Sequence, residues 1–464
     1  MFLKNKNFFK KKILEKNYSG KIITENRVID LKKNIQKINF FNIPRSLCLI
    51  ECSNSADSIL IYLSIIFYDN IPLLVNEDLN YEFLKNYINK YQPEFIITKK
   101  KINLKNYKLI HNLNDTNIYK VINQHSKKIN DNLALLLPTS GTTGSQKLVK
   151  ISYENLYENT IDICKFLKIK KNHTTITTMP FSYTYGMSII NTHVYKSSKI
   201  FIYNGSVIDK NFQNLLNEFK VNSFGGVPFT YEILRKIGFN KFKSKYLKYL
   251  THAGGAMSPN TLSFFYEYCK KEKISFISMY GASEATSRMS YLPFKFMKSK
   301  IGSIGKGLQN SFKILNNNKF INKPYIEGEI VFHGKNVFMG YSNDYRDLIF
   351  GNLNNYRLKT GDVGYFDKDG FYFITGRKNR YVKIYGLRIN LDELEKKLNE
   401  KFNLCYLKFL NEKIVIFTPN NYNLNNITNY IFERYKLNKN IFTLKKINKV
   451  PLKANNKIDY NKLI

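Results

Sequence analysis

From about residue 45 to residue 335, short apolar runs alternate with helix-length periodic stretches, and this alternation restricts the fold more than any other feature of the chain. Strand-like runs lie within Leu47–Glu51, Ile66–Val75, Phe95–Thr98, Leu133–Leu137, Thr174–Met179, Lys199–Tyr203 and Ser275–Ser278. Helix-like stretches such as Glu154–Leu167 and Lys210–Phe219 stand between them. Buried strands interleaved with helices predict an α/β fold built in layers. No repeat at a fixed period interrupts the pattern, and no Pro- or Gly/Ser-rich linker cuts it.

After Gly328 the texture changes. Val363 to Ile374 reads as a hairpin across Asp367-Lys368-Asp369-Gly370, where Asp-Gly supplies the unusual backbone angles. A compact tail follows from Gly376. Its first helix has Asn390 at the cap, Asp392 and Glu393 in the first turn, and Leu391, Leu394 and Leu398 on one face. Strand-like Leu404–Leu410 and Lys413–Thr418, helix-like Ile427–Tyr435 and strand-like Phe442–Ile447 complete it. The expected division is a large layered α/β N-terminal domain, residues 1–378, and a small α+β C-terminal domain, residues 379–464.

Composition excludes some partners and leaves others open. Lys and Arg exceed Asp and Glu by 73 to 35, a net charge of +38. A nucleic-acid surface would concentrate that charge around a reading module. Here Lys accompanies Asn, Ile, Tyr and Phe along the whole chain and Trp is absent, a drift of composition that points to no specific nucleic acid. The charge still favours anionic ligands such as nucleotides, CoA or an acidic carrier protein. The five cysteines are sparse and form no CxxC pair, so neither a disulfide framework nor a zinc ribbon is expected, and the setting is a reducing cytoplasm. The most apolar stretch, Ser58 to Tyr68, covers about eleven residues against the ~20 of a spanning helix, so no transmembrane segment is expected. The basic N-terminus lacks a continuous apolar core and is read as a packed or frayed helix rather than a secretory signal.

The segment richest in chemistry is Leu133-Ala-Leu-Leu-Leu-Pro-Thr-Ser-Gly-Thr-Thr-Gly-Ser-Gln-Lys147. An apolar strand runs into a loop of glycines and hydroxyls closed by a lysine. Gly141 and Gly144 allow backbone N–H groups to converge, Thr139, Ser140, Thr142 and Thr143 add hydroxyl donors, and Lys147 adds positive charge. That set suits a polyphosphate. A Walker loop would need Gly at position 146, where Gln stands. Alone, the segment is equally compatible with an unliganded turn.

Taken with the motifs that follow it, the sequence resembles the adenylate-forming (AMP-binding) superfamily of acyl-CoA synthetases, luciferases and peptide-synthetase adenylation domains. The loop matches its TSGTTGxxK signature. Ala253-Gly254-Gly255-Ala256 matches the adenine-pocket turn, and Tyr280-Gly281-Ala282-Ser283-Glu284 matches YGxTE with Ser283 in place of Thr. Gly302-Ser303-Ile304-Gly305 resembles the GSVG turn, and Thr360-Gly361-Asp362 matches TGD. Gly376-Arg377-Lys378-Asn379 with Lys383, Gly386, Arg388 and Ile389 matches the hinge signature, and Pro451 to Ile458 the catalytic-lysine motif. The motifs keep the family's order over essentially the whole chain.

The resemblance implies a two-step reaction: a carboxylate attacks the α-phosphate of ATP, then a thiol displaces AMP. It assigns Lys457 to the α-phosphate and substrate carboxylate, Glu284 to Mg²⁺, and Ser283 to the α-phosphate. The Thr139–Lys147 loop holds the phosphates, Tyr280 stacks on the base, and Asp362 takes the ribose hydroxyls with Arg377 beside it. Asn379 occupies the hinge about which the small domain swings. Lys383 and Gly386 then face the site, Gly386 beside a pantetheine arm. Departures are Gln146 for Pro, Leu148 for Gly, Asn456 for Gly and Arg380 for an acidic residue. None removes a catalytic group.

Met179 to Gly186 resembles the acyl-site segment. Tyr183 stands where synthetases often carry His, and Thr184 where amino-acid-activating domains place an Asp. Without that carboxylate a substrate ammonium would be buried unpaired. The expected substrate is a fatty or other non-amino carboxylic acid, the acyl pocket including Tyr183, Thr184 and Gly186. The chain ends seven residues after Lys457, so a carrier domain within it is not expected, and the acceptor is CoA or the phosphopantetheine of an external acyl-carrier protein. None of the six histidines has metal-ligand spacing, and His193 and His252 are read as core or pocket-adjacent. The competing readings are a ligase loading an external carrier with an acyl or aminoacyl group, and a non-catalytic nucleotide-binding relative.

Overall fold

The structure, a computed structural model, describes residues 7–123, 128–138, 147–209, 211–239, 242–384, 387–435, 437–452 and 458–463. Two compact units divide the chain: Met1–Ser311 with Phe332–Leu358, and Phe312–Val331 with Lys359–Ile464.

In the first unit, the alternation read from the sequence becomes two sheets flanked by helices. One sheet has Leu47–Cys52 at its centre, paired in parallel with Ile71–Asn76 and Phe95–Thr98. It continues through Leu133–Pro138 to Leu148–Ser152 and Gly340–Ser342, the last two pairs antiparallel. The other runs in parallel from Lys21–Ile23 through Lys199–Phe201, Thr174–Ile176, Ser223–Gly226 and Tyr249–His252 to Ser275–Tyr280. Two antiparallel strands, Ser290–Leu292 and Ser303–Gly307, extend it. The parallel strands are buried along most of their length, and where they carry polar residues, such as Thr174, Thr175, Ser223 and Thr251, these are buried too. Each fully buried Leu, Ile or Phe contributes about 1.5–3 kcal/mol.

The run expected from Ile66 starts later. Ile66 and Phe67 end the helix Ala56–Phe67, and the strand begins at Ile71. That helix is buried almost all round, between the central strands and the helices Phe8–Leu14 and Leu31–Lys37. A helix apolar on every face has no period to distinguish it from a buried strand. Asp69, at φ +65°, and the buried Asn70 make the turn. Phe8, Phe9 and Ile13 are buried, so the basic N-terminal helix is packed.

The second unit contains the expected hairpin, in which Asp362–Phe366 pair with Tyr372–Arg377, with Gly370 at φ +77°. The tail has the helix Leu391–Lys401, whose cap Asn390 accepts from the amides of Asp392 and Glu393. Tyr406–Leu410 and Lys413–Thr418 pair antiparallel, and the helix Leu424–Tyr435 leads to Phe442–Lys446, which pairs in parallel. Leu394, Leu398, Leu407, Ile416 and Ile431 lie in one core.

Candidate active site

Strands Leu133–Pro138 and Leu148–Ser152 pair up to Pro138 opposite Leu148, so the Ser/Thr/Gly loop joins the ends of an antiparallel pair. Lys147, exposed, is the last residue before the second strand. Thr139, Ser140, Gly141, Thr142, Thr143 and Gly144 lie outside the described residues, as do Gly386 and Lys457. The same holds for the side chain of Lys383, whose backbone pairs with Arg388 in a short hairpin.

The Ala253–Ala256 turn follows strand Tyr249–His252. Gly254 has φ +94°, a conformation a side chain resists, and Gly254, Gly255 and Ala256 are exposed. His252 sets the turn from below. Its Nε2 lies 3.1 Å from the Gly255 carbonyl oxygen and its Nδ1 3.2 Å from Ser278 Oγ. A neutral ring satisfies both, donating to Gly255 and accepting from Ser278. Burial pushes this imidazole down to about 4, so it stays neutral.

Strand Ser275–Tyr280 ends at Tyr280, half-buried, and the chain turns sharply into the segment carrying Ser283 and Glu284. A Cβ at Gly281 would lie 1.6 Å from the Ser287 carbonyl oxygen, so only glycine fits. Thr286 adopts φ +64°, strained for a β-branched residue. Side chains from other segments hold this shape. Thr286 Oγ1 donates to Asn336 O at 2.8 Å, and Asn336 Nδ2 donates to the carbonyls of Ala285 and Arg288, each at 2.9 Å. Asn159 Nδ2 donates to Arg288 O at 2.8 Å. Glu284 Oε1 accepts from the phenol of Tyr341 at 2.8 Å.

In the acyl segment Tyr183 is the cap residue of helix Thr184–Tyr195, half-buried, its phenol pushed up by burial. The charge of Asp78, an exposed residue from another segment, adds to that shift. The Thr184 carbonyl accepts from Ser287 Oγ at 3.0 Å, tying this segment to the Glu284 loop. A Cβ at Gly186 would stand 2.3 Å from the Pro180 carbonyl oxygen, which makes glycine the residue for this close approach. Behind lies a cavity of about 20 Å³ lined by Tyr185, Ser188, His193, Ser223, Thr251 and Arg288 among others.

In the second unit Asp362 and Arg377 are cross-strand partners, with Arg377 Nε 3.0 Å from Asp362 Oδ1. Asp362 is 5% exposed and its amide bonds to Thr360 Oγ1. Asn379 is exposed in the short turn Lys378–Arg380. The residues around it are pinned. Arg377 N donates to Asp392 Oδ2, and Lys378 Nζ pairs with Glu329 at 3.0 Å. Arg380 pairs with Asp392 and Glu395 at 2.6 and 2.9 Å and lies over the ring of Tyr460.

Residues 44–342 match the AMP-binding enzyme family. The chain belongs to that family. Among its relatives, the 2-succinylbenzoate–CoA ligase of Geobacillus sp. (strain WCH70) is 28% identical over 266 residues, 57% of this chain and 53% of that protein. The oxalate–CoA ligase of Saccharomyces cerevisiae is 26% identical over 266 residues, 57% and 48% of the two chains. The chain thus matches about half the length of these curated relatives. Among solved structures, o-succinylbenzoate CoA synthetase (MenE) from Bacillus subtilis with its acyl-adenylate intermediate OSB-AMP superposes at a TM-score of 0.78 with 19% identity, over 98% of this chain and 97% of that one. The same synthetase with ATP and magnesium ion gives 0.77 and 19%, over 98% and 99%. The fold is therefore that of the adenylate-forming enzymes, as the motifs led one to expect.

Sequence reasoning missed Asn336, Asn159, Tyr341 and Arg288. The first three reach the motif loop from distant segments, and no local spacing announces them. Arg288 lies four residues after Glu284, and its burial is visible only once the helix of Tyr185 is placed above it.

Proposed function

We propose that this AMP-binding enzyme activates a carboxylic acid with ATP as an acyl-adenylate and then transfers the acyl group to a thiol. It acts as an acyl-CoA synthetase on a fatty or other non-amino acid. The observation that carries this reading is the Glu284 loop. A strained turn, clamped by Asn336 and Asn159, presents a carboxylate to which Tyr341 donates, directly after Tyr280 and Gly281.

That donor set fits Mg²⁺. Among the described residues no group of three or more His, Cys, Asp or Glu side chains could hold a metal. A single carboxylate suits a hard cation that arrives on its phosphates. When bound, Mg²⁺ offsets phosphate charge, the main electrostatic demand when two anions react. Tyr280 and the Gly254–Ala256 turn take the adenine, Ser283 donates to the α-phosphate, and Lys147 with the preceding loop holds the remaining phosphates. Asp362, held by Arg377, accepts from the ribose hydroxyls. Lys457 neutralises the carboxylate and α-phosphate as the carboxylate oxygen attacks phosphorus and pyrophosphate leaves. In the second step the thiol sulfur attacks the acyl carbon and AMP departs.

The division at residues 378 and 379, with Asn379 as hinge, belongs to the same reading, as do Lys383 and Gly386 in the second step. The acceptor is CoA, supported by the two CoA ligases among the relatives. The phosphopantetheine of an external carrier protein would serve the same chemistry. The names of those relatives specify 2-succinylbenzoate and oxalate, both acids with two carboxyl groups. Five free, buried cysteines are in keeping with the cytoplasm. No described helix is long and apolar enough to cross a membrane.

The test is product analysis with ATP, Mg²⁺, an acid panel and CoA. AMP and an acyl thioester should form together, each dependent on both acid and CoA. ADP as the nucleotide product, or nucleotide turnover independent of any acid, would reject the reading.

A further inference from the structure

Arg288 is 3% exposed, yet among the described residues its charge has no anionic partner. Its Nη1 donates to Ser287 Oγ at 2.8 Å and to Ser287 O at 3.3 Å, and the guanidinium carbon lies 4.1 Å from the centre of the Tyr185 ring. Nε and Nη2 have no hydrogen-bond partner among the described residues. No Asp or Glu among the described residues lines the cavity that Arg288 helps to form, and burial pushes the guanidinium down to about 10.

A guanidinium presents its donors as a planar fork that matches a carboxylate. Two orphaned nitrogens on a buried cation are an expensive arrangement unless an anion arrives to meet them. The serine hydroxyls of the wall are already engaged, Ser188 Oγ donating to the Tyr185 carbonyl at 2.7 Å and Ser223 Oγ to Thr175 Oγ1 at 3.3 Å, and neither offers Arg288 a counter-charge. The Tyr185 phenol is engaged with Thr251. Ser287, which holds Nη1, also donates to Thr184 in the acyl segment, so Arg288 is tied to the place where the acid enters.

We infer that Arg288 selects substrates with a second anionic group, binding the far carboxylate of a short dicarboxylic acid while the near one is activated. This rests on the ligase reading above and names its substrate class. The cavity's about 20 Å³ is room for one small polar group, which favours a compact acid over a long acyl tail. A cationic wall also repels a substrate ammonium, an obstacle to amino acids independent of the missing Asp at position 184.

Matched pairs differing only in the terminal group test this: succinate against butyrate and glutarate against valerate, in acid-dependent ATP–pyrophosphate exchange. The wild-type protein should prefer each diacid by tenfold or more in kcat/KM. In Arg288→Gln the diacid-to-monoacid ratio should fall by about 10- to 100-fold, the scale of a lost charge-assisted pair. Arg288→Lys, which keeps the charge without the fork, should retain part of it. The wild-type preference needs no variant, so a misfolded substitution leaves the idea open to refutation. Equal or better exchange with the monoacids would overturn the assignment of Arg288 and leave the ligase reading intact. So would an unchanged ratio in Arg288→Gln, which would make Arg288 a structural partner of Tyr185. Exchange with neither class, in protein that still binds ATP, would overturn this inference and count against the ligase reading too.

Discussion

The phenol of Tyr341 donates to Oε1 of Glu284 at 2.8 Å, linking two residues 57 positions apart in sequence. Burial and the neighbouring Glu284 charge both push the phenol well above its ordinary range, so it remains a donor at any working pH. The carboxylate proposed to meet Mg²⁺ is thus oriented before the metal arrives.

Tyr341→Phe should therefore raise the Mg²⁺ concentration for half-maximal activity by about 3- to 10-fold, while stability falls by less than about 1 kcal/mol at this exposed contact. Magnesium titration of pyrophosphate exchange, with thermal unfolding alongside, checks both. An unaltered Mg²⁺ dependence would remove Tyr341 from the account.

Asn336 holds the strained loop by donating to two carbonyls, and it is 6% exposed. Asn336→Ala leaves those acceptors unsatisfied in a buried setting, at a cost of about 1–3 kcal/mol. Asn336→Asp should be no better, because it keeps the shape and loses the donors. Urea unfolding reads the stability, and the KM for ATP should rise in both variants if the loop shape matters for the site.

Acid sensitivity follows from three buried rings, among them His173, which is pushed down to about 4 by burial and the charges of Lys248 and Lys170. His193 and His252 are each pushed down to about 4 by burial, against 6.5 for an exposed imidazole. Between these values the unfolded chain binds more protons than the folded one. Stability is therefore full above about pH 6.5 and declines as pH falls towards 4. At pH 5 the loss is about 2 kcal/mol per histidine. Urea midpoints between pH 7.5 and pH 5 should show this slope, and it should be shallower in His193→Gln. A slope identical to wild type would show that this ring does not titrate on unfolding.

The two lysines of the second unit should separate the half-reactions. Lys457→Ala should abolish adenylation and leave ATP binding largely intact. Lys383→Ala should slow thioester formation while adenylate still accumulates. Single-turnover measurement of each step distinguishes them, and a Lys383→Ala protein with a normal second step would reject that role.

Much of the fold was legible because the relevant signals are local. Leu47–Glu51 was read as a strand and forms one over Leu47–Cys52; Asn390 was read as a helix cap and accepts from two amides. The helix Ala56–Phe67 was hidden because burial on all sides erased its period. The motif residues are singled out by their order along the chain, and of them Asp362 does stand beside Arg377. What supports them was not legible. Asn336, Tyr341 and Asn159 act across long sequence separations, and a single Arg, Asn or Tyr carries no sign of which distant carbonyl or carboxylate it will meet. His252 lay between: its place before Gly254 and Gly255 was visible, and its bond to Gly255 was not.

In the proposed reaction a carboxylate attacks ATP without any thiol present. Carboxylate-dependent exchange of labelled pyrophosphate into ATP, with CoA absent and Mg²⁺ supplied, isolates that step. Exchange is expected with at least one class among aliphatic, aromatic, hydroxy and dicarboxylic acids, and none with Lys457→Ala. Folded, ATP-binding protein that catalyses no exchange with any of these acids, or wild-type rates in Lys457→Ala, would contradict it.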